Sequence, residues 1–317
     1  MTTEFELIAL MRSLAAHPAA RGLVDDAAVL EVGGATLVLT HDMIVEGVHF
    51  LPDDPPGDVA WKLLAVNLSD LAAKGARPVA ALLGYSLGED DWDRAFAAGL
   101  GEALRAFDIA LIGGDTVVAP AGAPRTFGLT AIGEASGPVP SRAGASAGDR
   151  LWVSGTIGDS GAGLRQLRGE IKAPAALAER YRNPRPRLEA GQRLAQLVSA
   201  MMDVSDGLLI DAARLAEASG VAVRIDLDSV PLGADFLEAL GDGREVRLFA
   251  ATAGDDYELL FTAAPERSTE LLAIAGDLGL PLTPVGSVES GSGLRLHDGD
   301  EAIAPPGRLG WEHCHSR

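Results

Sequence analysis

A single cysteine, Cys314, stands in a chain of 317 residues. That excludes an internal disulfide framework and a cysteine-based zinc site. Lysine is almost as scarce: Lys62, Lys74 and Lys172 are the whole set, and arginine supplies the remaining basic residues. No run of about 18 apolar residues occurs, so no spanning helix is expected. The opening stretch, MTTEFELIALMRSLAAH, has acids and no basic lead-in, unlike a secretory signal; a cytoplasmic protein is expected. Positive charge is also short. Lys and Arg number 26 against 45 Asp and Glu, a net charge of -19, which makes nucleic acid and anionic membrane poor partners for the surface as a whole. Several catalytic signatures are missing. Without a Gly-Lys dipeptide there is no GxxxxGK phosphate loop, and there is no GxGxxG fingerprint or HExxH pair.

Apolar residues, at 47% of the chain, are ample for packed interiors, and the length points to two domains. Helical spacing runs from Glu4 to Ala16. Asp25–Val32 and Thr36–Thr40 read as strands joined by a turn at Gly33-Gly34. Gly57–Lys74 reads as a helix closed by Gly75. Pro78–Leu87 reads as a strand, Asp90–Phe107 as a helix, and Ala110–Ile112 as a buried strand ending in Gly113-Gly114-Asp115-Thr116. Arg125–Glu134 is a further strand. The alternation predicts an α/β or α+β domain over residues 1–148 and a second α/β domain over 149–317. In the second, the strand Arg150–Ser154 enters a glycine-rich turn at Gly155–Gly161. Met201–Val204 leads through Ser205-Asp206-Gly207 into a helix, Leu208–Ser219. Phe236–Leu248 reads as largely helical, and Ala253–Tyr257 opens the strand Glu258–Thr262.

The chain is organised around Leu37–Phe50, LVLTHDMIVEGVHF. An apolar β run puts Thr40, His41 and Asp42 at its end, where α/β sheets hold ligands. Other acids are set similarly. Asp25 and Asp26 open a strand, Asp70 sits on an apolar helix, Asp115 follows two glycines, and Asp203 and Asp206 bracket Val204-Ser205. Singly, each has an ordinary reading, such as a solvated turn pair or an N-cap. Yet a buried carboxylate needs a partner or a cation, and Gly113 and Gly114 would let a phosphate approach the backbone. As a set they favour a magnesium–phosphate site. Arg142 reads equally well as a phosphate partner or as an exposed connector residue. His49 leaves the acidic loop just after Gly47-Val48; His17, His297, His313 and His315 read as surface or tail residues.

The whole chain resembles the thiamine-monophosphate kinases, within the superfamily that includes aminoimidazole ribonucleotide synthetase and selenophosphate synthetase. The resemblance rests on VDDAAVL (Val24–Leu30), Thr40–Phe50, WKLLAVNLSDLAAKGARP (Trp61–Pro78), GGDT (Gly113–Thr116), SRAGA (Ser141–Ala145), Val153–Leu164, MDVSDGLLID (Met202–Asp211) and AGDDYELLF (Ala253–Phe261), in that order. Val24, His41, Ala253 and Asp255 stand where the family has glycine, threonine or serine, glycine and glutamate, and every metal-position aspartate is kept. The resemblance implies ATP-dependent phosphorylation of thiamine phosphate to thiamine diphosphate, by direct in-line transfer with Mg2+ and no phospho-enzyme. It puts Asp26, Thr40, His41, Asp42, Asp70, Asp115, Asp203 and Asp206 at metal positions, with Asp42, Asp115 and Asp206 central to catalysis. It puts Gly113, Gly114, Arg142 and Ser205 at nucleotide positions, and His49, Asp255 and Trp311 against thiamine phosphate. It further implies a homodimer whose N-terminal domains build a shared β-barrel, with a C-terminal α/β domain beside each. Two rival readings stand beside it: a sister synthase of the superfamily, and a non-catalytic nucleotide- or metal-binding protein. A selenophosphate synthetase would need a reactive cysteine near the N-terminus, which Cys314 cannot supply.

Overall fold

The computed structural model describes residues 4–312, so Cys314, His313 and His315 lie outside the described residues. Two sheets form the frame. The first takes β1 (Ala28–Val32), β2 (Ala35–Val45), β3 (Arg77–Leu87), β4 (Ala110–Val118) and β5 (Thr126–Ala135), ordered β1-β2-β5-β3-β4. Its pairs are antiparallel except β3 with β4. The helices in this half are α1 (Glu4–Arg12), α2 (Pro56–Ala73) and α3 (Asp90–Ala106).

The second sheet takes β6 (Arg150–Ser154), β7 (Ala200–Val204), β8 (Ala222–Asp226), β9 (Glu258–Ala263), β10 (Leu282–Glu289), β11 (Gly293–Asp298) and β12 (Glu301–Ile303), ordered β12-β11-β8-β10-β6-β9-β7. Only β8 with β11 is parallel. The helices of this half are α4 (Asp159–Leu167), α5 (Ala175–Arg182), α6 (Leu188–Leu194), α7 (Leu208–Ser219), α8 (Ala234–Leu240), α9 (Arg244–Ala253) and α10 (Ser268–Leu278).

α2 is the pillar between the halves. Every residue of α2 from Lys62 to Ala73 is buried, and Leu63, Leu64, Leu68 and Leu71 are fully so. A helix that is apolar all round must be covered all round. β2 and β5 cover one side, α3 another, and α6 and β7 of the second half a third. β7 is therefore an edge strand that is nevertheless buried along its whole length. That contact brings the second half's acids to those of the first.

Several elements differ from the sequence reading. β2 does not stop at Thr40: it pairs with β5 without a break from Thr36 opposite Ala135 to Val45 opposite Thr126. Asp42 is thus interior to a strand, not at its end. The polar run Thr40-His41-Asp42 imitates a strand end, but Thr40 and Asp42 turn to one face of the sheet and His41 to the other. Asp25 and Asp26 lie in the turn before β1, not within it. β4 is longer than the three residues read as buried, and it is exposed at every position. It is the sheet's edge, and nothing among the described residues covers it. Helical structure over Phe236–Leu248 is broken around Gly241 into α8 and α9, and α1 ends at Arg12 instead of Ala16. Among the described residues no helix is long and apolar enough to cross a membrane.

Candidate functional site

Residues four apart on a helix share a face. On α2 and at the residue that caps it, the positions 62, 66, 70 and 74 place Lys62, Val66, Asp70 and Lys74 in one buried stripe. Val66 and Asp70 line a cleft of about 1010 Å³ between the two halves. There Asp70 meets Asp26, from the turn before β1, and Asp203, from β7. One carboxylate oxygen of each lies within 4.8 Å of the others. Hydroxyls aim two of the three. Thr40 Oγ1 donates to Asp70, and Ser69 Oγ donates to Asp203 at 2.6 Å. Asp42 stands at the same cleft, its backbone N–H donating to the Asn67 side chain at 3.0 Å.

Burial and mutual repulsion set the electrostatics. Burial pushes Asp70 and Asp203 well above the usual carboxylate range, and neighbouring acids push them further. Asp42 rises to about 6 through burial, then Asp26 and Asp206. Cations stand on the near side. Lys74 Nζ lies 2.5 Å from Asp25 and 2.6 Å from Asp26, and Arg142 Nε donates to Asp26 at 2.7 Å. Burial would raise Asp25, but Lys74 and Arg21 outweigh it and bring it down to about 2. Burial would lower the Arg142 guanidinium, and Asp26 more than offsets it. Across the cleft Arg214 lies 2.5 Å from Asp206 and 2.8 Å from Asp211. Asp211, fully buried, accepts the backbone N–H groups of Ser205, Asp206 and Gly207 at 3.1, 3.1 and 3.2 Å. Burial and then Asp206 push it up to about 7.

This donor set suits a hard divalent cation. It is all oxygen and anionic, and its members repel one another as they stand, which a bound cation would relieve. The guanidinium groups of Arg142 and Arg214 suit phosphate oxygens.

The rest of the cleft's lining is differently built. His49 Nδ1 accepts the Val45 N–H at 3.0 Å, and Tyr181 donates to the His49 carbonyl at 3.3 Å. Asp255 pairs with Lys62 at 2.8 Å and accepts from the Tyr257 hydroxyl at 3.0 Å. Trp311 donates its backbone N–H to the Asp206 carbonyl at 2.8 Å, and the Arg308 guanidinium lies 5.2 Å from its ring centre. His49, Tyr181, Asp255, Tyr257 and Trp311 all line the same cleft as Asp26, Asp42, Asp70, Arg142, Asp203, Ser205 and Asp206.

Four residues singled out in the sequence do not reach this cleft from their own chain. His41 alternates to the opposite, exposed face of β2, where Nδ1 lies 2.9 Å from Thr130 Oγ1. Asp115 lies on the same exposed side as His41, beside Gly84 and Gly128. Gly113 and Gly114 are inside β4, not in a loop beyond it. A Cβ on Gly114 would fall 1.9 Å from the Leu83 carbonyl oxygen, so glycine there admits the neighbouring strand.

Sequence reasoning passed over Lys62, Lys74, Asn67, Asp211 and Arg214. The signal for the lysines was present: two cations and an acid at four-residue spacing on an otherwise apolar helix.

Comparison with known proteins follows the same outline. Residues 24–135 match the model for the AIR synthase related protein, N-terminal domain, and residues 146–299 that for the C-terminal domain. The chain is 42% identical to the thiamine-monophosphate kinase of Caulobacter vibrioides, over 98% of this chain and 91% of that one. The crystal structure of thiamine-monophosphate kinase from Stenotrophomonas maltophilia is 40% identical, with a TM-score of 0.77 over 94% of this chain and 96% of that one. AaThiL complexed with AMPPCP and TMP superposes with a TM-score of 0.85 at 32% identity, over 98% and 97% of the two chains. The chain therefore belongs to the AIR synthase related proteins and, among them, to the thiamine-monophosphate kinase family.

Proposed function

We propose that the protein transfers the terminal phosphoryl group of ATP to the phosphate of thiamine phosphate, releasing thiamine diphosphate and ADP. The observation that carries this reading is the convergence of Asp26, Asp70 and Asp203, from three separate elements, on one point of a cleft. The kinship supports it: the relative AaThiL was solved with AMPPCP and TMP.

Bringing two phosphates together is the main obstacle. Two unit charges about 4 Å apart repel by roughly 4 kcal/mol at an effective dielectric near 20. Magnesium ions held by Asp26, Asp42, Asp70, Asp203 and Asp206, with Thr40 beside them, would supply the neutralising charge. Arg142 and Ser205 hold the nucleotide, with the guanidinium turning from Asp26 to a phosphate oxygen. His49, Asp255 and Trp311 hold the acceptor, the indole offering a face to the cationic thiazolium. Oriented this way, the acceptor phosphate attacks in line, and no phospho-enzyme is required.

The working unit of this reading is a homodimer in the cytoplasm. Each chain has a first domain at 1–148 and a second at 149–317, and the first sheets of the two chains close a shared barrel. In that assembly the exposed side of the first sheet is covered, and Gly113, Gly114, Asp115 and His41 contribute to nucleotide and metal binding. The direct test is a product assay with ATP, Mg2+ and thiamine phosphate. Thiamine diphosphate and ADP are expected in equal amounts. ADP release indifferent to thiamine phosphate would point to a sister activity and overturn the reading.

A further inference from the structure

We infer that Lys62 is a positioning residue for the acceptor: it fixes the Asp255 carboxylate in the wall of the cleft without facing the cleft itself. The inference rests on the reading of thiamine phosphate as acceptor.

Lys62 is 2% exposed. A buried ammonium must be paired, and its partner is Asp255 Oδ2 at 2.8 Å. The Tyr181 ring covers it, 3.8 Å from Nζ to the ring centre. Tyr181 and Asp255 both line the cleft, so Lys62 stands directly behind two of its walls. The backbone there is held in an uncommon shape. Asp255 and Tyr257 have φ of 61° and 51°, the left-handed region that non-glycine residues rarely occupy. Two bonds to β7 and the turn after it pin them: Asp255 N–H to the Ser205 carbonyl at 2.7 Å and Tyr257 N–H to the Val204 carbonyl at 2.8 Å.

Asp255 thus has one oxygen held by Lys62 and the other by the Tyr257 hydroxyl. A carboxylate can accept about four hydrogen bonds. The remaining capacity suits a ligand that donates N–H groups, such as the amino group of an aminopyrimidine ring. Lys62 also shares its helix face with Asp70. Eight residues of α-helix span about 12 Å, so one rigid rod spaces the acceptor ring from the acidic cluster.

The test compares Lys62→Met, Asp255→Asn and the double variant by steady-state kinetics in both substrates. Each single variant is expected to raise KM for thiamine phosphate about tenfold or more, with KM for ATP and kcat within about threefold. The double variant is expected to be no worse than the worse single one, because Lys62 acts through Asp255. Equal effects on both substrates, an unmoved acceptor KM, or additive losses would overturn the inference. Should Lys62→Met fail to fold, Asp255→Asn on a half-exposed residue decides the matter: an unchanged acceptor KM overturns it. Wild-type enzyme that makes no thiamine diphosphate would overturn the proposed function and this inference with it. A normal wild type with unmoved variants would overturn the inference alone.

Discussion

Asp42 shows what a single side chain is asked to do. Burial, together with the charges of Asp26 and Asp206, lifts it to about 6. On the proposed metal role, replacing it by asparagine removes a hard anionic ligand and leaves the fold's packing untouched. Asp42→Asn is expected to lose on the order of a hundredfold or more in turnover, the scale seen when transition-state charge stabilisation is removed. Extra Mg2+ should rescue it only in part, since an amide is a weak ligand for a hard cation. The check is turnover across a Mg2+ titration beside Asp90→Asn, whose carboxylate is 77% exposed and pairs with surface Arg94; equal behaviour would refute the metal role. The same residue gives a pH dependence. Its folded pKa lies above the unfolded value of about 3.9, so the folded chain holds the proton longer. Its contribution to stability is full below about pH 4 and lost as pH rises through about 6. Asp70 and Asp203, also raised, act in the same direction. Metal-free protein should therefore melt lower at pH 8 than at pH 5, and Mg2+ should restore the melting temperature at pH 8. Melting curves in EDTA and in Mg2+ check this; a metal-free melting temperature that rises with pH over that interval would contradict it.

At the scale of elements, α2 decides the site, because it carries Lys62, Asp70 and Lys74 and touches both halves. Its contact with α6 is backbone to backbone. A Cβ on Gly191 would fall 1.9 Å from the Ala72 carbonyl oxygen, so no side chain fits between the helices. Gly191→Ala should push α6 off α2 and destabilise the protein by about 1–3 kcal/mol, as overpacking does. A urea midpoint unchanged from wild type would show the contact to be dispensable. Turnover should fall as well, since the same contact region sets Asp70 against Asp203. Much of this scale was legible in the sequence. α2, β3, α3 and β5 fall within a residue or two of where spacing put them, because their apolar periods are long and unbroken. Most of the acids were legible too, as polar exceptions within or beside apolar runs. Local spacing could not say that β2 continues past Thr40, since its last residues are held by β5, which lies some 90 positions later in the chain (Asp42 opposite Leu129). Nor could it say that β4 is uncovered or that His41 turns away from Asp42. Those depend on sheet order and on the side from which α2 packs. Lys62 and Asp255 lie 193 residues apart, and nothing local announces their pairing.

At the scale of the whole molecule the unfinished surface is β4. It is an edge strand, exposed along its length, yet it carries Ile112 at 59% and Val117 at 55% exposure. Leu82 and Met43 add apolar surface nearby. An exposed apolar edge invites pairing with another chain, and a two-fold assembly would cover it twice over. Solution measurements should find a particle of twice the 32.7 kDa chain mass. Each chain has a net charge of -19, so association works against repulsion, and added salt, which screens charge over about 10 Å at 0.1 M, should tighten the dimer. Val117→Glu puts a charge into that surface without touching the acids of the cleft. It is expected to yield a monomer by light scattering, with melting temperature near wild type and, on the proposed role of Gly113, Gly114 and Asp115 in the partner's cleft, turnover greatly reduced. Adding Ile112→Glu should deepen the effect. A stable wild-type monomer with full activity at micromolar concentration would defeat the dimer reading. A monomeric Val117→Glu that kept full turnover would leave β4 an association surface and remove Asp115 from the chemistry.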